Sequence, residues 1–357
     1  MEAQLNFNLP FRDLGRKANS LLKSRRFWLG LVITLVFIAL LFYRTNFNEV
    51  FASVRTANYI WILPAIAVYF VGFWIKVVRW AYIMKPIKPI PSTRLFSLTV
   101  IGYAANNLLP FRIGELVRAY LVSKKETVSA GAAIGTIIVE RIFDGLALIL
   151  LVVAVSVFTP KAEWLTQVTV VATILFLGVL GTFIFLAASP NWTQRILNWV
   201  ACCLPKRWGT RLRGIALNFI SGIKILHSPY RLLAVFGYSL LLWVIEAAMS
   251  WVLGFSFNLG QGQQFPVFLV GTATANLGTI LPTTQGGIGP FEYFYKQTLV
   301  LFGTPGPEAT AYAVVLHVVL LVPLILLGLF YVWTQRLSFA QLTRRSMEIK
   351  TGPNPEQ

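Results

Sequence analysis

The chain has 357 residues, 56% of them apolar and only 12% charged, with a mean hydropathy of +0.68. Soluble domains carry about 25% charged residues; half of that, beside 11 Trp, 12 Tyr and 27 Phe, excludes a single soluble globule. The 31 Lys and Arg against 13 acidic residues give a formal charge of +18, which in so apolar a chain points to the loops of a membrane protein rather than to nucleic acid.

A basic segment, 1–26, opens the chain and precedes an apolar run with no small-residue cleavage site after it, so the first span is expected to be retained. Spans need about 20 mostly apolar residues. Six segments qualify: 27–43, 59–84, 128–158, 167–187, 231–257 and 309–333. Two further stretches, 95–122 and 266–302, are apolar but broken by Pro, Gly and Asn. They are expected to be re-entrant hairpins, whose freed backbone groups must be buried in protein or face a wet cavity. The loop 188–230 alternates Trp, Leu and Ile with Arg and Lys and reads as interfacial amphipathic helix. A tail, 334–357, closes the chain. Adjacent Cys202 and Cys203 fit neither a disulfide framework nor a metal site.

With the N-terminus cytoplasmic and both hairpins entering and leaving on one side, 26 of the 31 basic residues fall in cytoplasmic regions and three in outer loops. That bias is what the positive-inside rule predicts, and it places both termini in the cytoplasm of a cell whose plasma membrane the chain crosses. The fold expected is all-α and polytopic: six transmembrane helices plus two broken-helix hairpins.

Each half, 27–158 and 167–333, then reads as two spans, a hairpin and a span. The hairpins share the order Leu-Pro, Ile-Gly, Glu at Leu109, Pro110, Ile113, Gly114 and Glu115, and again at Leu281, Pro282, Ile288, Gly289 and Glu292. Three crossings per half invert the second half relative to the first. Inverted repeats with helix breaks near the midplane mark alternating-access transporters.

Charges inside apolar segments are functional candidates, because each costs about 2.5–3.5 kcal/mol near the bilayer centre. Glu140, Arg141 and Asp144 lie about 18 Å into their helix. They form either a self-neutralising structural cluster or a proton or headgroup site. Arg112, Glu115 and Arg118 follow the first helix break. Arg112 suits an anionic headgroup through its planar fork of donors, or is an ordinary interfacial arginine, as Arg118 is expected to be; Glu115 has Arg118 three residues on as a partner. In the second hairpin Glu292 either pairs with Lys296 four residues on or is functional, while Gly286, Gly287 and Gly289 present amides or permit close packing. Glu246 calls for Arg141 or another buried partner, or a proton. His317 reads as a hydrogen-bonded packing residue before a proton relay.

The strings NNLLPFRIGELVRAYLVSKK from 106, VERIFD from 139 and LPTTQGGIGPFE from 281 resemble the flippase-like membrane domain of the lysylphosphatidylglycerol synthases, over roughly 60–333. The resemblance implies a stand-alone form of that domain, since only 24 residues follow 333 where the full-length synthases carry a soluble aminoacyltransferase domain. Lipid aminoacylation is therefore not implied. The family's Pro-Thr-Pro-Gly-Gly appears here as Pro282-Thr283-Thr284-Gln285-Gly286-Gly287, which puts the shape of the tip and the substrate in question.

No P-loop, GxSxG or HExxH string occurs, and Glu49, Glu163 and Glu308, the acidic residues of the outer loops, are isolated. The expectation is a non-enzyme with no cofactor and no metal, moving an anionic lipid or lipid-linked headgroup between leaflets. An ion-coupled carrier of a small solute and a non-catalytic partner of a lipid-modifying enzyme stand as alternatives. Expected partners are membrane lipids with anionic headgroups, such an enzyme, and a second copy of the chain.

Overall fold

The structure, a computed structural model, describes residues 25–43, 45–109, 113–156, 163–188, 228–281, 286–335 and 337. Residues 1–24, Arg112, Pro282 to Gln285, residues 189–227 of the basic loop and all of the tail but 334, 335 and 337 lie outside the described residues.

Eleven α-helices and no strand occur among those residues. Helix α1 (Arg25–Phe42) and α2 (Phe47–Thr56) meet at an elbow of 83°, where the Asn46 side chain caps α2 by accepting from the Asn48 N–H at 3.0 Å. Then come α3 (Ile62–Met84), α4 (Ser92–Leu108), α5 (Gly114–Glu126), α6 (Ala130–Ser156) and α7 (Glu163–Ala188). The rest are α8 (Pro229–Gly254), α9 (Phe265–Gly278), α10 (Pro290–Leu301) and α11 (Gly306–Thr334).

Four stretches are long and apolar enough to cross a membrane: Tyr59–Met84, Glu163–Thr182, Tyr230–Gly254 and Gly306–Thr334; the bent α1–α2 pair makes a fifth if taken as one span. The sequence reading expects six, and the difference is α6. At 27 residues it is about 40 Å long, but Glu140, Arg141 and Asp144 make it more polar than an apolar span.

The interior is built around the short helices. Helix α4 packs on α5 and α11, α9 on α10 and α6, and α3 against α8. Small residues let them approach: a Cβ on Gly114 would lie 2.0 Å from the Gly102 carbonyl oxygen, and one on Gly328 would lie 2.2 Å from the Ala104 Cβ. Large apolar side chains of α1, α7 and α11 point outward, among them Leu35, Ile174 and Leu326. This is the surface expected where the solvent is hydrocarbon and packing rather than the hydrophobic effect joins helices.

Candidate functional site

Two basic residues three apart on α3, Lys76 and Arg79, share a face, as do the acidic Glu140 and Asp144, four apart on α6. Those faces meet. Arg79 is fully buried and donates to Asp144 through both terminal nitrogens, with Nη2 reaching Oδ2 at 3.2 Å and Glu140 Oε1 at 3.4 Å. Its Nη1 also donates to Ser239 Oγ at 2.6 Å. Ser239, Trp243 and Glu246 follow each other around α8 at helical spacing, and Trp243 Nε1 donates to Asp144 Oδ1 at 3.1 Å. Arg118 of α5 pairs with Glu140, its guanidinium stacked 3.8 Å over the Trp80 ring. A planar fork serves this site better than an ammonium: that of Arg79 meets several oxygens, and that of Arg118 keeps its ion pair while sitting over an aromatic ring.

A second layer faces inward to a cavity. Arg141 Nε donates to Glu115 Oε1 at 2.9 Å and Nη2 to the Tyr103 hydroxyl at 3.1 Å, while Asp144 lies 3.8 Å from Nη1. The Lys76 ammonium stands 3.9 Å from Glu246 and 4.9 Å from the centre of the Tyr103 ring. Four cations (Lys76, Arg79, Arg118, Arg141) thus meet four carboxylates (Glu115, Glu140, Asp144, Glu246). That balance is what a low-dielectric interior demands, since an unpaired buried charge is far more costly than a pair.

The third element sits where the second helix break meets α11. Gly286, Gly287 and Gly289 hold φ of 62°, 83° and 100°, a region open to glycine without penalty. Gly289 caps α10 and donates its N–H to Glu292 Oε2 at 2.8 Å. The other carboxylate oxygen lies 2.6 Å from His317 Nδ1 on α11, and His317 Nε2 lies 3.1 Å from the Gly286 carbonyl oxygen. Phe291 packs on the imidazole with ring centres 4.4 Å apart.

A cavity of 520 Å³ joins these parts. Asn106 and Glu115 flank it beside the first helix break, Gly286 and His317 beside the second, and Lys76 and Arg141 bring charge to its wall. Leu175, Phe176 and Val179 of α7 add apolar lining beside α6. Helix α7 is thinly packed: 12% of its most apolar stretch is buried, against 28–33% for the other three long apolar helices.

Several expected pairings are corrected. Glu115 pairs with Arg141 rather than with Arg118, because residues three apart on α5 each meet a different side chain of α6. Arg118 is not interfacial; it is 2% exposed. Glu292 does not pair with Lys296. Lys296 turns instead to the C-terminal end of α1, donating to the Leu41 carbonyl at 2.6 Å and to Thr45 Oγ1 at 2.8 Å, where the partial negative charge of a helix end favours a cation. Of the partners expected for Glu246, the structure supplies another buried one, Lys76, in place of Arg141. His317 is hydrogen-bonded, to Glu292 and Gly286.

The sequence reading does not single out Lys76 and Arg79, and its charge bias places them, with Arg118, in cytoplasmic regions. Removing these three from the 26 leaves 23 basic residues behind the charge bias. Their signal was the i, i+3 spacing inside an otherwise apolar span. Arg112 lies outside the described residues, and the exposed guanidinium that the cavity holds is that of Arg141.

These features define a polytopic, all-helical membrane protein with a charged interior. Residues 27–328 match the family described as the lysylphosphatidylglycerol synthase TM region, and the chain belongs to that family. It is similar to a UPF0104 membrane protein of Methanothermobacter thermautotrophicus, 22% identical over 275 residues that cover 72% of this chain and 80% of that one. A UPF0104 membrane protein of Methanocaldococcus jannaschii is 26% identical over 235 residues, 64% of this chain and 93% of that one. The glycosyltransferase AglD of Haloferax volcanii is 22% identical over 321 residues, 80% of this chain but only 50% of that protein.

Proposed function

We propose that this protein is a flippase-like transporter that carries the headgroup of an anionic lipid, or of a lipid-linked intermediate, through the cavity between the two helix breaks. The observation that carries this reading is the pairing of a charged wall with an apolar one. Arg141 is about one third exposed there, with one nitrogen on Glu115 and another on Tyr103, and can exchange a carboxylate for a phosphate of similar geometry. The buried Asn106 Oδ1, with no hydrogen-bond partner among the described residues, adds an acceptor for a headgroup hydroxyl or amine. Helix α7, thinly packed and apolar on its outside, is the side through which acyl chains would remain in the bilayer. A carrier of a small soluble solute has no use for such a side.

In this reading the chain crosses the plasma membrane six times with both termini in the cytoplasm. Helices α4–α5 and α9–α10 are re-entrant, and the halves are an inverted repeat. Exchange of equivalent helices supports the repeat: α4 packs on α11 as α9 packs on α6, α5 on α6 as α10 on α11, and α3 on its own counterpart α8. A second reading, a membrane partner of a lipid-modifying enzyme, draws on the likeness to half of AglD.

Reconstitution in liposomes separates them. Wild-type protein is expected to equilibrate fluorescent phosphatidylglycerol between leaflets faster than fluorescent phosphatidylcholine, and Arg141→Gln to lose that preference. A folded wild-type protein that moves neither probe overturns the transport reading, and a preference that survives Arg141→Gln overturns the role of Arg141.

A further inference from the structure

The contact between His317 and Glu292 cannot be made without a proton. The Gly286 carbonyl only accepts, so His317 Nε2, 3.1 Å away, carries hydrogen. His317 Nδ1 lies 2.6 Å from Glu292 Oε1. A bare ring nitrogen and a carboxylate oxygen at that separation would set two lone pairs against each other. Hydrogen therefore lies between them, whether bonded to nitrogen as imidazolium facing carboxylate or to oxygen as carboxylic acid facing neutral imidazole. Both arrangements hold the same two protons and the same net charge of zero, which suits a pair that is 5% and 7% exposed.

Loss of one proton breaks a link whichever way the ring settles. A neutral imidazole has a single N–H. If it stays on Nε2, Glu292 faces a lone pair; if it moves to Nδ1, the Gly286 carbonyl loses its donor. Glu292 also holds the Gly289 N–H, so the dyad clamps both sides of the glycine turn to α11 only while doubly protonated. Gly286 and Gly287 line the cavity, and His317 lines it too, giving the proton a way to water.

We propose that Glu292 and His317 form a proton-binding site whose occupancy locks or releases the second helix break, making the proton the coupling ion of transport. The inference rests on the transport reading above and names its energy source. A ligand shifts a conformational equilibrium only through its different affinity for the two states, and the lost hydrogen bond is that difference.

The charged groups around the dyad have partners of their own. Helix α9 carries no ionisable side chain, and α1 brings Thr34 and Phe37 against Gly289. Lys296, one turn along α10, is held by Leu41 and Thr45. Across the cavity, Lys76 of α3 faces Glu246 of α8, and Arg141 of α6 faces Glu115 of α5. Asp144 of α6, which faces Arg79 of α3, and the Tyr69 and Tyr103 side chains of α3 and α4 complete the ionisable lining.

Two measurements test the proposal. The chain has only two histidines, the other being His227, which lies outside the described residues. Nitrogen-15 NMR of His227→Gln protein labelled at histidine therefore reads a single ring. The ring is expected to lose one proton as pH rises, and Glu292→Gln to move that transition by at least one pH unit. A ring that never titrates while the protein stays folded, or a transition unmoved by Glu292→Gln, overturns the site. The second measurement is the steady-state leaflet distribution of fluorescent phosphatidylglycerol in vesicles with a one-unit pH gradient of either sense. One proton per lipid biases it by up to about tenfold, reversing with the gradient. His317→Gln is expected to show no bias. Exchange in the wild type without bias, or bias retained in His317→Gln, overturns the coupling. No exchange of the probe at all overturns the transport reading itself, and the NMR result still decides whether the dyad binds a proton.

Discussion

The two helix breaks are held by different chemistry. Behind the first, α5 is fastened to α6 by two ion pairs, Arg118 to Glu140 and Glu115 to Arg141, and Arg79 closes the network from α3. Behind the second, α10 is fastened to α11 by one histidine and one carboxylate. Arginine stays charged at any pH a protein meets, whereas an imidazole can give up a proton. The comparison teaches that two broken helix pairs in one chain can be fastened by groups of different kinds, one set permanently charged and the other built on an imidazole. Glu115 and Glu292 each follow a Leu-Pro string, yet one faces a guanidinium and the other an imidazole.

The sharpest way to break this contrast is to remove the permanent fastening. Arg79→Leu leaves Asp144 and Glu140 buried with a lost partner, and breaking a buried pair costs about 3–5 kcal/mol. We expect the largest fall in thermal stability in detergent for this variant, with much of the protein misfolded. The double variant Arg79→Leu with Asp144→Leu is expected to be less damaged than the sum of the two single changes by about 1–3 kcal/mol. Strict additivity of the melting curves would show that the two side chains do not act as a pair.

Backbone proximity offers a second contrast. A Cβ on Gly114 would sit 2.0 Å from a carbonyl oxygen, while one on Gly271, in the second helix pair, would sit 2.8 Å from the Tyr295 ring. Backbone cannot yield as a side chain can. Gly114→Ala is expected to cost about 1–3 kcal/mol and Gly271→Ala less, read from the same melts. Equal losses would mean that both pairs are equally tight.

How much of this the sequence showed depends on whether a residue acts alone or through a partner distant in the chain. The broken stretches 95–122 and 266–302 were visible because Pro, Gly and Asn interrupt apolar runs, and α4–α5 and α9–α10 fall within or close to them. Glu140, Arg141 and Asp144 were conspicuous because charge is rare in such a helix. Arg79 was not, since its position near the end of an apolar span reads equally well as a loop boundary. Pairings were the least legible part. Local spacing offered Arg118 for Glu115 and Lys296 for Glu292, but helices packed side by side brought in Arg141 and His317 from elsewhere in the chain. Position along a helix shows which face a side chain shares; only packing shows what that face meets.

The smallest expected effect on stability separates fastening from function. Arg141 and Glu115 are about one third exposed to the cavity, with 34% and 30% of their side chains accessible. A pair that wet is worth about 1 kcal/mol or less, so Arg141→Gln should leave the melting temperature within a few degrees of the wild type. A headgroup phosphate that binds there would nevertheless lose a charged, two-point donor. The expected signature is a nearly normal melt together with loss of the preference for phosphatidylglycerol in the exchange assay. Should Arg141→Gln instead melt as low as Arg79→Leu, the inner and outer layers of charge would be one structural unit. The cavity face of α6 would then belong to the permanent fastening, and the headgroup would have to be held from the glycine turn and His317 alone.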